Sequence, residues 1–280
     1  MAADQIPLFA PLLIGSDMDW KYSTERQQNA CLAMVGQKCP WARGKGLGGS
    51  SAINFMLYVR GNRRDYDIWR NEYGAEGWAY NDVLPHFKSI ERTMVPDHDG
   101  PLYRGTAGEV PVMYPNERTK LSAKFLKACL ENHYPIVDYN GQSQAGCSRV
   151  QANIQYGKRY SAAESFINPV MDRPNLHLAM NSHATKVLIQ GNRATGIRLV
   201  TDVWTTDIMA TREVVISAGA VGTPQLLLLS GIGPRQDLND LQKPVGNNHE
   251  LGSVDQGFLV HQVRTAEQGC IPVLPGGICF

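Results

Sequence analysis

Residues Pro40–Trp69, PWARGKGLGGSSAINFMLYVRGNRRDYDIW, join a glycine- and serine-rich loop to an apolar run and then to a dense charged stretch. Gly44-x-Gly46-x-x-Gly49 fits the dinucleotide fingerprint letter for letter. That motif needs an apolar strand before it and an acidic residue in a ribose-binding strand after it, and neither is present, so a Rossmann turn is rejected here. The loop reads instead as phosphate-facing. Gly48, Gly49, Ser50 and Ser51 offer amides and hydroxyls at the head of an apolar helix through Ile53, Phe55, Met56, Leu57, Tyr58 and Val59, where the dipole favours an anion. Residue types alone leave a plain glycine-rich turn as the alternative. Arg60, Arg63, Arg64, Asp65 and Asp67 read as a solvated surface with local ion pairs.

A second informative stretch is Ser217–Pro234, SAGAVGTPQLLLLSGIGP. Glu213–Ser217 reads as a compact apolar strand, followed by a small-residue turn and a helix from Pro224 to Leu229 that Ser230-Gly231 ends. Strand, small turn and helix in that order suit a phosphate or nucleoside, because small residues let a ligand approach the backbone. Between the two stretches the periodicity predicts helices over Asn81–Thr93, with Val83, Leu84, Phe87 and Ile90 inward behind an Asn or Asp cap, and over Lys120–His133, with Phe125, Leu126, Cys129 and Leu130 inward. Short strands are predicted at Glu109–Tyr114 and Arg149–Gln155, and a helix at Ala162–Ile167. A meander is predicted from Leu176–Met180, Lys186–Ile189, Gly196–Thr201 and Asp207–Met209, with Gly191-Asn192 turning between two of its strands. Gly252–Phe280 shows no sustained period and reads as a tail.

With 280 residues and 43% apolar content the chain can bury a substantial core. Its 27 basic and 26 acidic residues leave a charge of +1, so no global field favours nucleic acid or an anionic membrane. No apolar run reaches the ~20 residues of a membrane span. Met1–Gly15 opens with Asp4 and is interrupted by Pro7 and Pro11, so it is not expected to be a signal peptide, and the compartment is left open. Six cysteines are spread through a chain too long to need disulfide staples, with no Cys-x-x-Cys pair. The seven histidines fall in no ligand spacing, so no metal is expected, and the absence of a Gly-x-Ser-x-Gly elbow argues against a hydrolase. Trp20, Trp41, Trp69 and Trp78 read as core residues.

Taken together, Pro40–Trp69 and Ser217–Pro234 resemble the two signatures of the glucose-methanol-choline oxidoreductase family. Gly77-Trp78, Tyr103–Gly108, Arg159–Phe166 and Lys186–Val200 follow the family's order between them, and the resemblance covers Ile6–Asn248. Asp19–Cys31 and Arg60–Tyr66 are closest in style to the insect-type FAD, quinone-dependent glucose dehydrogenases. The resemblance implies a mixed α/β fold. Residues 1–80 and 175–248 would belong to a partial FAD-binding fold, 81–174 to an inserted substrate-side segment, and 249–280 to a divergent tail.

The cofactor implied is FAD, held non-covalently: where some members carry a flavin-linked histidine, residues 50–54 read Ser-Ser-Ala-Ile-Asn. The resemblance puts Arg43, Gly44, Lys45, Leu47, Gly48, Gly49, Ser50, Ser51 and Asn54 along the pyrophosphate and flavin. It puts the Val187 backbone against the adenine, and Ser217, Ala218 and Gly219 beside the adenosine. The implied reaction oxidises the CH–OH group of a small alcohol or sugar, with hydride passing to flavin N5 and quinone, dye or oxygen as acceptor. The family's N-terminal Rossmann βαβ unit and its C-terminal histidine base have no match, so a fragment of impaired activity with no catalytic residue of its own is expected. Pro244–His249 resembles the family's following segment only in shortened form, and neither His249 nor His261 reads as the base. The rival reading is a non-catalytic binding or interaction protein that kept the fold.

Overall fold

The computed structural model describes residues 3–96, 99–115 and 119–240. It divides into two compact units at Asp172/Arg173. The first unit runs α1 (Ala10–Leu13), β1 (Tyr22–Ser23), β2 (Pro40–Trp41), α2 (Arg63–Tyr73), α3 (Tyr80–Ile90), β3 (Glu91–Thr93), β4 (Val110–Val112), α4 (Lys120–Glu131), β5 (Ile154–Gln155) and β6 (Lys158–Arg159). Its strands pair two by two, β1 with β2 and β5 with β6 antiparallel, β3 with β4 parallel.

Local chemistry sets the helix limits. Asn62 caps α2 by accepting from the Arg64 amide at 2.9 Å, and Gly74, at φ 67°, ends it. The cap of α3 lies at Ala79, whose amide donates to Asp82 Oδ2 at 3.1 Å, and not at Asn81 or Asp82. Tyr66, Tyr80 and Val83 bury the seam of α2 and α3, with Trp69, Trp78, Leu84 and Phe87 packed on them. The Tyr66 ring meets Trp69 and Phe87 edge-on at 5.1 and 5.8 Å. Trp69 and Trp78 thus join the core as expected, whereas Trp20 and Trp41 are about two fifths exposed.

The helix expected after the glycine-serine loop does not form. Gly49–Ala52 makes a single 3-10 turn; Asn54 Oδ1 then accepts from the Met56 amide at 2.9 Å, and Met56 takes φ 61°. A left-handed residue stops helix propagation. Ile53 and Met56 point inward while Phe55, Leu57 and Val59 are exposed.

Arg60 is not part of a solvated patch. It is buried and ion-pairs with buried Glu91, which also pairs with buried Arg104. Arg104 Nη1 reaches both oxygens of Asp138 at 2.8 Å, and Gln151 Nε2 donates to Asp138 Oδ1 at 2.8 Å. Asn140 closes the set by accepting from the Arg60 amide at 2.8 Å and donating to Gln151 Oε1 at 2.9 Å. Two cations and two carboxylates cancel, which is the condition for placing them out of water. Burial alone would raise the Asp138 pKa, but the Gln151 hydrogen bond and the Arg104 guanidinium outweigh it and hold the carboxyl below its usual range.

Two further expectations are corrected in this unit. α4 forms as predicted, yet Phe125 and Leu130 are more than half exposed and Cys129 is its one buried residue. The chain also does use disulfides: Cys31 bonds Cys39 and Cys129 bonds Cys147, at Cα separations of 5.6 and 6.5 Å. Length removes the need for staples in a core, but not in surface segments that bury little.

The second unit is a three-stranded antiparallel meander, β7 (His183–Gln190), β8 (Arg193–Val200) and β9 (Thr205–Met209), in the order β7-β8-β9. Gly191-Asn192 makes the predicted two-residue turn, with Gly191 at φ 58°. Leu176–Met180 and Glu213–Ser217 form no strand among the described residues, and Val215 is exposed. Helix α5 (Gly219–Leu229) packs along β7 and is followed by α6 (Arg235–Asp240). Among the described residues no helix is long and apolar enough to cross a membrane. Pro244–His249, His261 and the expected tail lie outside the described residues.

Candidate functional site

The glycine-serine loop of the first unit is held from two sides. On one side stands Asp19, buried at 4% exposure. Its Oδ1 accepts from the amides of Arg43 and Lys21 at 2.9 and 3.0 Å, and its Oδ2 from that of Gly15 at 2.8 Å. Backbone bonds Trp20 N to Arg43 O and Lys45 N to Met18 O, at 2.8 and 3.0 Å, lock the loop's entry against residues 18–20. Burial works to raise the Asp19 pKa, but the three amides and the nearby Lys21 charge outweigh it, so the carboxyl stays below its usual range.

The chain then folds back on itself. Gly49 N donates to Gly46 O at 2.8 Å, and Gly44 N to Ser50 Oγ at 3.2 Å. Gly48 adopts φ 91°, which strains any side chain. A Cβ on Gly44 would lie 2.2 Å from the Gly49 carbonyl oxygen, so the return is close enough to require glycine there. In this conformation the amides of Leu47, Gly48 and Ser50 have no protein acceptor among the described residues.

The second support comes from residues 159–163. Arg159, at 2% exposure, donates from Nη1 to Ser51 O at 3.0 Å and to Asn54 Oδ1 at 2.9 Å, and from Nε to Asp4 O at 2.7 Å. Its Nη2 is buried with no hydrogen-bond partner among the described residues. Burial draws the Arg159 pKa down, with the Asp4 charge opposing. Ser51 Oγ accepts from the Ala162 amide at 2.8 Å and donates to Gly48 O at 2.5 Å. Ser161 and Ala163 sit against Gly48, where an added Cβ would meet Ser161 Oγ at 3.2 Å.

The open amides form a donor set for an anion, and Arg43, whose Nη1 donates to Ala42 O and whose guanidinium lies over Trp41, and Lys45, whose ammonium lies over Trp20, put positive charge on the same loop. The acidic residue against the loop, Asp19, has its oxygens turned to backbone amides. These residues fit a phosphate group. Arg43, Gly44, Lys45, Leu47, Gly48, Gly49, Ser50, Ser51 and Asn54 all lie on this one loop, but with different work. Ser51 and Asn54 spend their side chains inside the protein, on the Ala162 amide and Gly48 carbonyl and on Met56 and Arg159 respectively, whereas Leu47, Gly48 and Ser50 present unused backbone donors.

In the second unit Val187 is buried on β7, and its amide donates to Ser230 Oγ at 2.8 Å. An extended residue points its N–H and C=O to the same side, so the Val187 carbonyl is the backbone group left facing that edge of β7. Ala218 N donates to Thr223 Oγ1 at 3.0 Å, and Gly219, at φ 84°, opens α5 beside partly exposed Ser217.

Sequence reasoning missed Asp19, Arg159 and Ser161. Arg159 and Ser161 fall in a stretch whose order already resembled the family. For Asp19 the signal was faint, because the contact that ties it to the loop, the Arg43 amide, lies 24 residues on. Asp19→Asn, which replaces one acceptor oxygen by a donor facing an amide, is expected to cost ~1–3 kcal/mol. The sign follows from a depressed folded pKa: the carboxylate's contribution is full above the unfolded value and is lost as pH falls through the folded one. Urea titrations across the acid range should show that loss in the wild type and a flatter profile in the variant.

Comparisons with known proteins bear on this geometry. The pattern described as "GMC oxidoreductase" matches residues 26–254. Glucose dehydrogenase [FAD, quinone] of Drosophila melanogaster is 42% identical over 92% of this chain and 41% of its own length. Mitochondrial choline dehydrogenase of Mus musculus is 36% identical over 90% of this chain and 41% of its own. The chain therefore spans about two fifths of the length of these relatives. Among solved structures, an FAD-dependent oxidoreductase from Chaetomium thermophilum superposes with a TM-score of 0.77 at 30% identity, over 87% of this chain and 43% of that one. With both signatures inside a match that spans most of its length, this chain belongs to the GMC oxidoreductase family.

Proposed function

We propose that this chain carries flavin-binding parts of an FAD-dependent oxidoreductase acting on CH–OH groups of a sugar or alcohol. FAD is the cofactor of this family, and the observation that carries the reading is the Arg43–Asn54 loop, with its open amides clamped between Asp19 and Arg159. In this proposal Leu47, Gly48 and Ser50 donate amides to the pyrophosphate, Arg43 and Lys45 supply charge, and Ser51 and Asn54 hold the loop's shape. The Val187 carbonyl contacts the adenine, and Ser217, Ala218 and Gly219 line the adenosine. Residues 81–174 form the substrate-side segment. When bound, FAD would supply the redox chemistry as the hydride acceptor for a CH–OH donor. No residue of this chain is assigned as the proton-accepting base.

The names of the relatives support a sugar or alcohol donor and a quinone or oxygen acceptor. The test is titration of the purified chain with FAD, followed by flavin fluorescence. Saturable quenching at one FAD per chain, competed by ADP but not by riboflavin, which lacks the pyrophosphate, is the expected result. A folded chain that shows no saturable binding, or that takes riboflavin as readily as FAD, would overturn the reading.

A further inference from the structure

We infer that Cys31–Cys39 and Cys129–Cys147 are structural disulfides and that this chain accordingly matures in an oxidising, secretory compartment. The backbone brings both pairs together. The Cys39 amide donates to Thr24 Oγ1 at 2.9 Å and the Thr24 amide to Cys39 O at 3.0 Å, setting the return of residues 24–39. The Cys147 amide donates to Pro135 O at 2.8 Å and the Val137 amide to Cys147 O at 2.9 Å, and the tight turn after α4 leads from Cys129 to Pro135. The resulting Cα separations, 5.6 and 6.5 Å, lie within the range a disulfide spans.

What the bridges hold is the stronger argument. Thr24–Lys38 contributes no buried residue, and Leu32, Met34 and Val35 within it are exposed. α4 buries Cys129 alone while Leu121, Phe125 and Leu130 lie exposed. Neither segment has apolar burial enough to fix it, so in each the cross-link does what a core does elsewhere. The second bridge also ties α4 to residues 135–147, which carry Asp138 and Asn140 of the buried ion network. A reducing cytosol keeps such thiols apart, and both segments would lose their anchors there.

Each bridge forms one S–S bond and breaks two S–H bonds. The two protons go to solvent and the two electrons to a disulfide-bearing oxidant, which leaves as a dithiol.

The test reads thiols and proteolysis rather than flavin. Cells express the full chain with or without an export signal and are lysed into N-ethylmaleimide, and non-reduced peptides are mapped. The exported copy should show both cross-linked peptides and no alkylation at the four cysteines. The retained copy should be alkylated at all four and cut at Lys120, Lys124 or Lys127 at least about tenfold faster in limited proteolysis. An exported Cys129→Ser/Cys147→Ser variant should show the same faster cutting with its Cys31–Cys39 peptide intact. Free thiols at these positions in the exported copy, or a fully reduced copy as resistant as the exported one, would overturn the inference.

Discussion

Glu91→Ala is expected to lower the stability of the first unit by ~3–5 kcal/mol, the cost of stripping one partner from a buried ion network. Glu91 is fully buried and is shared by two guanidinium groups, those of Arg60 and Arg104. Without it the network keeps two cations against Asp138 alone, in a place water does not reach. Arg104 would still reach Asp138 and Gln151, but Arg60 would keep only neutral acceptors such as the Tyr103 and Asn140 carbonyls. The penalty therefore falls mainly on Arg60, six residues past Asn54. Asn140 Nδ2 also holds the Tyr58 carbonyl at 3.0 Å, so loosening the network loosens the segment that leaves the Arg43–Asn54 loop. An unfolding free energy from urea titration of Glu91→Ala within about 1 kcal/mol of wild type would mean that these charges are not desolvated as described.

Gly44→Ala is expected to break the loop itself, while Gly46→Ala, two residues on, leaves it standing. The added carbon at Gly44 would sit 2.2 Å from the Gly49 carbonyl oxygen and 2.9 Å from the Ser50 amide nitrogen, backbone atoms that cannot swing away. At Gly46 the nearest atom is the terminal methyl of Met18 at 3.4 Å, on a flexible side chain. Overpacking against fixed atoms costs ~1–3 kcal/mol and is relieved only by opening the turn. Opening it re-aims the Leu47, Gly48 and Ser50 amides, so flavin affinity should fall by about two orders of magnitude in Gly44→Ala, on the scale of two lost charge-assisted hydrogen bonds. The fingerprint letters thus matter here for a reason unlike the one they suggest, a carbonyl folded over Gly44 in place of a strand-to-helix turn.

Where the decisive interactions are local, the sequence was legible. Gly191-Asn192 turns the meander and Ser230-Gly231 ends α5, each through a bond or dihedral within a few residues, whereas α2, bracketed just as locally by Asn62 and Gly74, was passed over as a charged patch. Where the partner is distant it was not. Arg60 carries no local mark of burial, because Glu91 and Asn140 lie 31 and 80 residues away. Asp19 reads like any other acid until Arg43 is brought to it. The apolar face of α4 has helical spacing whether or not it is covered, so periodicity found the helix and misassigned Phe125 and Leu130. The apolar run after the loop misled in the opposite sense: the Asn54 side chain and a left-handed Met56 stop a helix that composition favours. Cysteine count and spacing were silent on pairing, since the pairs depend on backbone bonds such as those between Thr24 and Cys39.

If the Arg43–Asn54 loop, as clamped here, cradles the FAD pyrophosphate as proposed, the purified full chain, incubated with FAD and desalted, keeps flavin absorbance, and Gly44→Ala and Gly46→Ala are to be treated alike. Bound flavin is expected in the wild type and in Gly46→Ala, and its loss in Gly44→Ala while far-ultraviolet circular dichroism stays unchanged. A folded wild-type chain that comes off the column without flavin, or a Gly44→Ala chain that holds it as tightly, would contradict that proposal.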